Sequence, residues 1–359
     1  MQSFRVELGP ASHPVHVGND ILDRLGELSR DAGIKSGAVA LITDSNVERH
    51  YSARAARALE KGGFVPKLIV VPAGEASKSS AVLQSLYDQM IGAEIERQGT
   101  IFALGGGVVG DLAGFAAASY LRGIAVVQVP TTLIAQVDSS LGGKTGVNHP
   151  RAKNLIGAFH QPRAIVADVG TLATLPEREF REGLAEAIKY GAIMDAALLA
   201  ELECNLERIR TRDRMILEAL VARSLRLKAA VVAADEREGG LRKILNFGHT
   251  IGHALETSAG YGTYLHGEAV AVGMAAAVRL SEEFGGLSVD EGARLIRLME
   301  RCGLQTKMPA RLPYADLLAA LRLDKKRSEG AIEFVLLERL GKAMTRRLDF
   351  DQVLTALVN

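Results

Sequence analysis

Cysteine is nearly missing from this chain of 359 residues: Cys204 and Cys302 are its two thiols, far apart in sequence. That excludes a disulfide framework. With an opening stretch, Met1-Gln-Ser-Phe-Arg5, that lacks an apolar signal core, it predicts a reducing cytoplasmic setting. An excess of either charge sign is missing too. Forty-three basic residues face 42 acidic ones, a net charge of +1, so no global field recruits nucleic acid or an acidic membrane. Long hydrophobic runs are absent: stretches such as Ala269 to Val278 fall well short of the ~20 residues a bilayer span requires. What is present is the balance of a globular protein, 48% hydrophobic and 24% charged, which argues against disorder. At ~150 residues per domain, the length predicts about two domains.

The two halves are punctuated differently. Up to Gly170 the chain carries 21 of its 37 glycines and seven of its ten prolines. Short, nearly continuous apolar runs recur there: Ala38 to Ile42, Lys67 to Val71, Thr100 to Leu104, Ile124 to Val129 and Ala164 to Ala167. Such runs are the signature of strands buried on both faces. Helical stretches, Asn46 to Lys61 and Ser79 to Ile91, alternate with them, which implies a mostly parallel sheet. After Thr171 the periodicity predicts helices over Glu177 to Ile193, Ala196 to Ala234, His249 to Ser258 and His266 to Phe284. Only Ala331 to Leu337 reads as a strand there. The expected fold class is α/β, with a Rossmann-like domain over 1–170 and a mainly α-helical domain over 171–359.

Gly105, Gly107 and Gly110 in Leu104-Gly-Gly-Gly-Val-Val-Gly-Asp111 follow a predicted strand and match G-x-G-x-x-G. Such glycines let backbone amides approach a pyrophosphate at a helix N-terminus; they serve equally for tight turns. The usual acid about 20 residues onward is missing, since Ile124 to Val129 runs into Pro130-Thr131-Thr132. Asp44, just after an earlier strand, is placed to hold a ribose hydroxyl or simply to cap a turn.

Asn246-Phe-Gly-His249-Thr-Ile-Gly-His253-Ala-Leu-Glu256 puts two histidines at i and i+4 on one helix face, and His266 follows shortly. A catalytic metal wants about three His, Asp or Glu ligands and an open position. Spacing pairs His249 with His253 and leaves the third ligand as His266 or an acid such as Glu186. Basic residues gather at Gly142-Gly-Lys144-Thr-Gly-Val-Asn148 and Lys153-Asn154. The first glycine a P-loop needs ahead of Gly143-Lys144 is absent, so the Walker pattern fails. Arg122, Lys228, Arg242, Lys325 and Lys326 are further candidates for an anionic substrate, against the plain alternative of solvated surface charge.

Taken in order, these segments resemble the 3-dehydroquinate synthases, members of the sugar phosphate cyclases. The carriers are Gly74-Glu-Ala-Ser-Lys78-Ser, Leu104 to Asp111, Gln128-Val-Pro-Thr-Thr-Leu133, Val137-Asp138 through Asn148, Lys153 to Phe159, Glu186-Ala-Ile-Lys189-Tyr-Gly, Asn246 to Glu256 and Leu323-Asp-Lys-Lys326. They span almost the whole chain. The resemblance implies an N-terminal NAD-binding domain, a helical C-terminal domain, a catalytic zinc or cobalt between them, and a homodimer.

It assigns metal ligation to Glu186, His249 and His266, which moves His253 to the substrate side. Asp44, Glu75, Lys78, Gly106, Gly107, Val108, Asp111, Thr131, Thr132, Thr171 and Leu172 fall at positions associated with NAD. Lys144 and Lys153 fall where cofactor and substrate meet. Arg122, Asp138, Asn154, Lys189, Lys228, Arg242, Asn246, His253 and one lysine of Lys325-Lys326 fall at catalytic or substrate positions. The implied substrate, 3-deoxy-D-arabino-heptulosonate 7-phosphate, carries a carboxylate and a phosphate, which explains the convergent cations. The implied reaction is a transient oxidation, phosphate elimination, re-reduction and aldol closure within the shikimate pathway. Other sugar phosphate cyclases and the metal-dependent polyol dehydrogenases are its rivals. A non-catalytic binding protein would predict degraded motifs, which are not seen.

Overall fold

The computed structural model describes residues 1–260, 262–308, 331–350 and 352–353. The chain divides into two compact units, residues 1–176 with 212–236, and residues 177–211 with 237–359. The boundary expected at 170 thus falls at 176, and the helix Arg214–Ala234 belongs to the first unit rather than to the helical half.

The first unit is built on a seven-stranded sheet. Its strands are β1 (Gln2–Val6), β2 (His13–Gly18), β3 (Gly37–Asp44), β4 (Phe64–Val71), β5 (Thr100–Gly105), β6 (Ala125–Pro130) and β9 (Ala164–Asp168). Their spatial order is β1-β2-β9-β6-β5-β3-β4. All neighbours are parallel except β1 and β2. A separate antiparallel hairpin pairs β7 (Lys144–His149) with β8 (Ala152–Phe159). Alternation explains why the central strands read as unbroken apolar runs. Ala40, Ile42, Ile101 and Ala103 enter a core with Leu86, Met90 and Leu112 on one face. Val39, Leu41, Phe102 and Leu104 enter a second core with Leu25, Leu59 and Val127 on the other. Each buried valine, leucine, isoleucine, phenylalanine or methionine among them contributes about 1.5–3 kcal/mol.

The second unit contains the helices Glu177–Met194, Ala196–Arg210, His249–Ala259, His266–Phe284 and Val289–Arg301. A hairpin of β10 (Ala331–Arg339) and β11 (Lys342–Asp349) accompanies them. Ile332, Phe334 and Leu336 of β10 pack with Ile251, Ala276 and Leu280 of the helices. The helix expected from Ala196 to Ala234 is two helices. Arg212 takes φ +58° at the break, and Asp213 restarts the helix by accepting from the Met215 and Ile216 amides at 3.0 and 3.3 Å. Among the described residues, no helix is long and apolar enough to cross a membrane.

Candidate active site

The order of the parallel strands reverses between β3 and β5, the position where open α/β sheets bind ligands beyond their strand carboxyl ends. Asp44 ends β3 and Gly105 ends β5, with Thr43 and Leu104 in register. Gly106 is the N-cap of the helix Gly107–Ser119, so the glycine run is a strand-to-helix turn. Thr131 and Thr132 follow β6, and Thr171 and Leu172 follow β9. Gln136 ties those two strand ends together, its amide donating to Pro130 O, Asp168 O and Thr171 Oγ1 at 3.0, 2.9 and 3.1 Å. The Thr131 hydroxyl is buried with no hydrogen-bond partner among the described residues. Asp44 caps the helix that follows it, accepting from the Asn46 and Val47 amides at 2.8 and 3.1 Å.

A polar cluster joins this edge to the β7–β8 hairpin. The Lys78 ammonium is buried between Asp111 Oδ2, at 2.5 Å, and Asn154 Oδ1. Asn148 donates its side chain to Glu75 Oε1 at 2.7 Å and its amide to Lys78 O at 2.8 Å, and accepts from the Asn154 amide at 2.9 Å. Burial pushes the Asp111 carboxyl above its usual range, opposed by the Lys78 charge. Lys144 opens β7, and Lys153 and Asn154 lie on β8. Lys228 is buried and reaches both Asp138 Oδ1 at 3.0 Å and Asp138 O at 2.8 Å. Arg122 departs from the group. It is exposed and sits between the end of the helix Gly107–Ser119 and the start of β6, at the amino edge of the sheet. The chain's own first unit therefore does not bring it to the glycine turn.

In the second unit, Glu186 is fully buried on the helix Glu177–Met194, with Lys189 one turn on and ion-paired to Oε2. Glu186 Oε1 lies 3.7 Å from the Nε2 atoms of both His249 and His266. It has no hydrogen-bond partner among the described residues. A separation of 3.7 Å is too long for a hydrogen bond. It suits atoms sharing one cation at about 2.0–2.2 Å each, whose mutual distances would be about 3–4 Å. The donor set, two imidazoles and a carboxylate, fits zinc or cobalt. Ligand atoms of His249, His253 and His266 also lie within 4.8 Å of one another, but His253 is exposed. Burial pushes His249 well below its ordinary value, reinforced by the charges of Lys189 and the other two histidines. His266 moves upward: burial opposes charge, but the Glu256 hydrogen bond and the Glu186 and Glu256 carboxylates outweigh it.

Arg242 is almost fully buried, and Asn246 donates to Glu238 Oε1 at 2.9 Å. Lys325 and Lys326 lie outside the described residues. Spacing alone gave no role to Gln136, to Asn148, or to Glu256, although Glu256 stands two helical turns after His249.

Sequence comparison decides the family. The 3-dehydroquinate synthase N-terminal pattern matches residues 68–182, and the C-terminal pattern matches residues 183–327. The chain belongs to the 3-dehydroquinate synthase family. It is 48% identical to the 3-dehydroquinate synthase of Geobacter metallireducens, over 99% of this chain and 98% of that one. The fold is that of the sugar phosphate cyclases. A 2-deoxy-scyllo-inosose synthase, solved with carbaglucose-6-phosphate, NAD+ and Co2+, superimposes with a TM-score of 0.90 at 26% identity, covering 99% of both chains. The 2-epi-5-epi-valiolone synthase of Streptomyces hygroscopicus subsp. jinggangensis, with NAD+ and Zn2+ bound, gives 0.87 at 29% identity over 98% of this chain and 97% of that one.

Proposed function

We propose that this enzyme converts 3-deoxy-D-arabino-heptulosonate 7-phosphate to 3-dehydroquinate and phosphate, using NAD and one divalent metal, zinc or cobalt. The observation that carries the reading is Glu186: a buried carboxylate with an unsatisfied oxygen 3.7 Å from two imidazole nitrogens, in a chain of this family. Glu186, His249 and His266 would hold the metal, and the carboxyl-edge residues from Asp44 round to Leu172 would hold the dinucleotide. When bound, NAD supplies a reversible hydride acceptor and the metal a Lewis acid for the substrate hydroxyls.

The remaining work falls to the chain's own side chains. Lys144, Lys153, Lys228 and Arg242 neutralise and orient a phosphate and a carboxylate. Buried cations such as Lys228 and Arg242 do this strongly because little water screens them. Asp138 holds Lys228 in place from two of its oxygens. His253, exposed beside the half-buried His249 and His266, would carry a proton to or from the departing phosphate. No strong protein base is required, since the substrate phosphate can take the proton itself, and the task is chiefly orientation. The same reading makes the protein a cytoplasmic homodimer of the shikimate pathway. Arg122 at the amino edge then acts away from its own glycine turn.

The test is to incubate metal-loaded protein with the heptulosonate phosphate in large excess over NAD+, following phosphate and nicotinamide absorbance together. Phosphate should match substrate consumed while NADH does not accumulate. Steady NADH production would identify a dehydrogenase instead.

A further inference from the structure

The two histidines that face Glu186 are held from behind in different ways. His249 Nδ1 lies 3.2 Å from the carbonyl oxygen of Phe247, a backbone acceptor two residues away. His266 Nδ1 lies 3.4 Å from Glu256 Oε2, a carboxylate ten residues earlier on a different helix. Glu256 is buried, with 5% of its surface exposed. A carboxylate is rarely buried without a partner that needs its charge. It stands at the seventh position after His249, so the helix His249–Ala259 presents both residues on one face.

We infer that Glu256 is a positioning residue for the metal site, holding His266 in the tautomer that protonates Nδ1 and turns the Nε2 lone pair toward Glu186. This rests on the reading of Glu186, His249 and His266 as the ligand set. An imidazole donating Nδ1–H to a carboxylate has one orientation and a more basic Nε2 than one donating to a carbonyl. One helix then serves the site twice, through His249 directly and through His266 by way of Glu256.

The test uses the full chain stripped of metal and titrated with zinc against a competing chelator, for Glu256→Gln, Glu256→Leu and His266→Ala. Glu256→Leu should weaken zinc binding by about 10–100-fold, the usual cost of losing such a partner. Glu256→Gln keeps an acceptor oxygen and should lose less; it also carries the test should the leucine variant fail to fold. In parallel, 15N-detected imidazole spectra of the metal-free protein should show the His266 signals leaving the Nδ1-protonated pattern in Glu256→Leu, with His249 unchanged. Unchanged zinc affinity in both Glu256 variants overturns the inference. So does a loss of affinity with His266 signals that do not move, since that is a packing effect. If His266→Ala itself binds zinc normally, it is the ligand set that fails.

Discussion

A methyl group at position 273 should disturb the metal site without touching any of its side chains. Gly273 lies in the helix His266–Phe284, where a Cβ would meet the carbonyl oxygen of Gly248 at 1.9 Å and the Gly252 nitrogen at 2.8 Å. Both obstacles are backbone, so no side chain can rotate aside. An ordinary carbon–oxygen contact is about 3.3–3.6 Å, so Gly273→Ala must part the two helices locally by about 1.5 Å. Gly248, at φ +80°, is the residue just before His249, and that movement passes straight to this proposed ligand. Metal–ligand distances tolerate only about 0.2 Å. Overpacking of this kind costs about 1–3 kcal/mol of stability, and the backbone obstacle places it at the upper end. Urea unfolding and zinc titration of Gly273→Ala should therefore show both losses together. Gly92→Ala is the control: a Cβ there meets nothing within 4 Å, at the end of a helix in the other unit. It should be neutral or stabilising by up to about 1 kcal/mol. A Gly273→Ala protein that binds zinc as tightly as the unsubstituted chain and unfolds at the same urea concentration would refute the reasoning.

Two further outcomes follow from buried charges. Burial pushes the Glu182 carboxyl from 4.5 up to about 7, against the pull of the Gly267 amide. The folded state then holds a proton that the unfolded chain releases, so Glu182's contribution is fully present below pH 4.5 and is lost as pH rises to about 7. At about 1.4 kcal/mol per pH unit the loss is about 3 kcal/mol. Glu182→Gln should flatten that part of the stability–pH curve relative to the unsubstituted protein, and parallel curves would count against the assignment. Lys78→Met strands the Asp111 carboxylate and should cost about 3 kcal/mol in urea unfolding, with Asp111→Asn added on top recovering much of it; a cost below about 1 kcal/mol would mean that water already screens the pair.

The central strands were legible because β3, β5 and β9 are buried on both faces, which leaves an apolar run with no alternation to misread. The β7–β8 hairpin was not. Gly146 and Gly157 face each other across it so closely that a Cβ on either would meet the partner strand's backbone oxygen, at 2.5 and 2.1 Å. Those glycines serve strand contact, but in sequence Gly146 reads only as part of the basic stretch Gly142 to Asn148. On β8 Leu155, Ile156 and Phe159 are exposed, so burial leaves no pattern to detect. β11 escaped for the same reason, since only Leu348 along it is buried. The short break at Arg212 was hidden because the apolar periodicity resumes at once. What fastens Arg212 is tertiary, three carbonyls at Leu172, Ala173 and Leu175, which take its guanidinium at 2.7, 3.0 and 2.5 Å.

The residues proposed to hold the metal divide along the same physical line. Helical spacing places His249, His253 and Glu256 on one helix and makes that helix a candidate from sequence alone. It cannot reveal that Glu186, far earlier in the chain, is the buried group facing His249 and His266, and it favours His253 over Glu186 as a ligand. Which faces meet is decided by where side chains are missing. Gly267 brings the start of the helix His266–Phe284 onto the helix Glu177–Met194, where a Cβ would meet the Glu182 carbonyl oxygen at 2.1 Å. Gly273 brings the same helix onto Gly248. Two glycines six residues apart thus draw three helices to backbone contact, and Glu186, His249 and His266 converge as a consequence. A pattern search for ligand residues weighs the histidines and passes over the glycines that seat them.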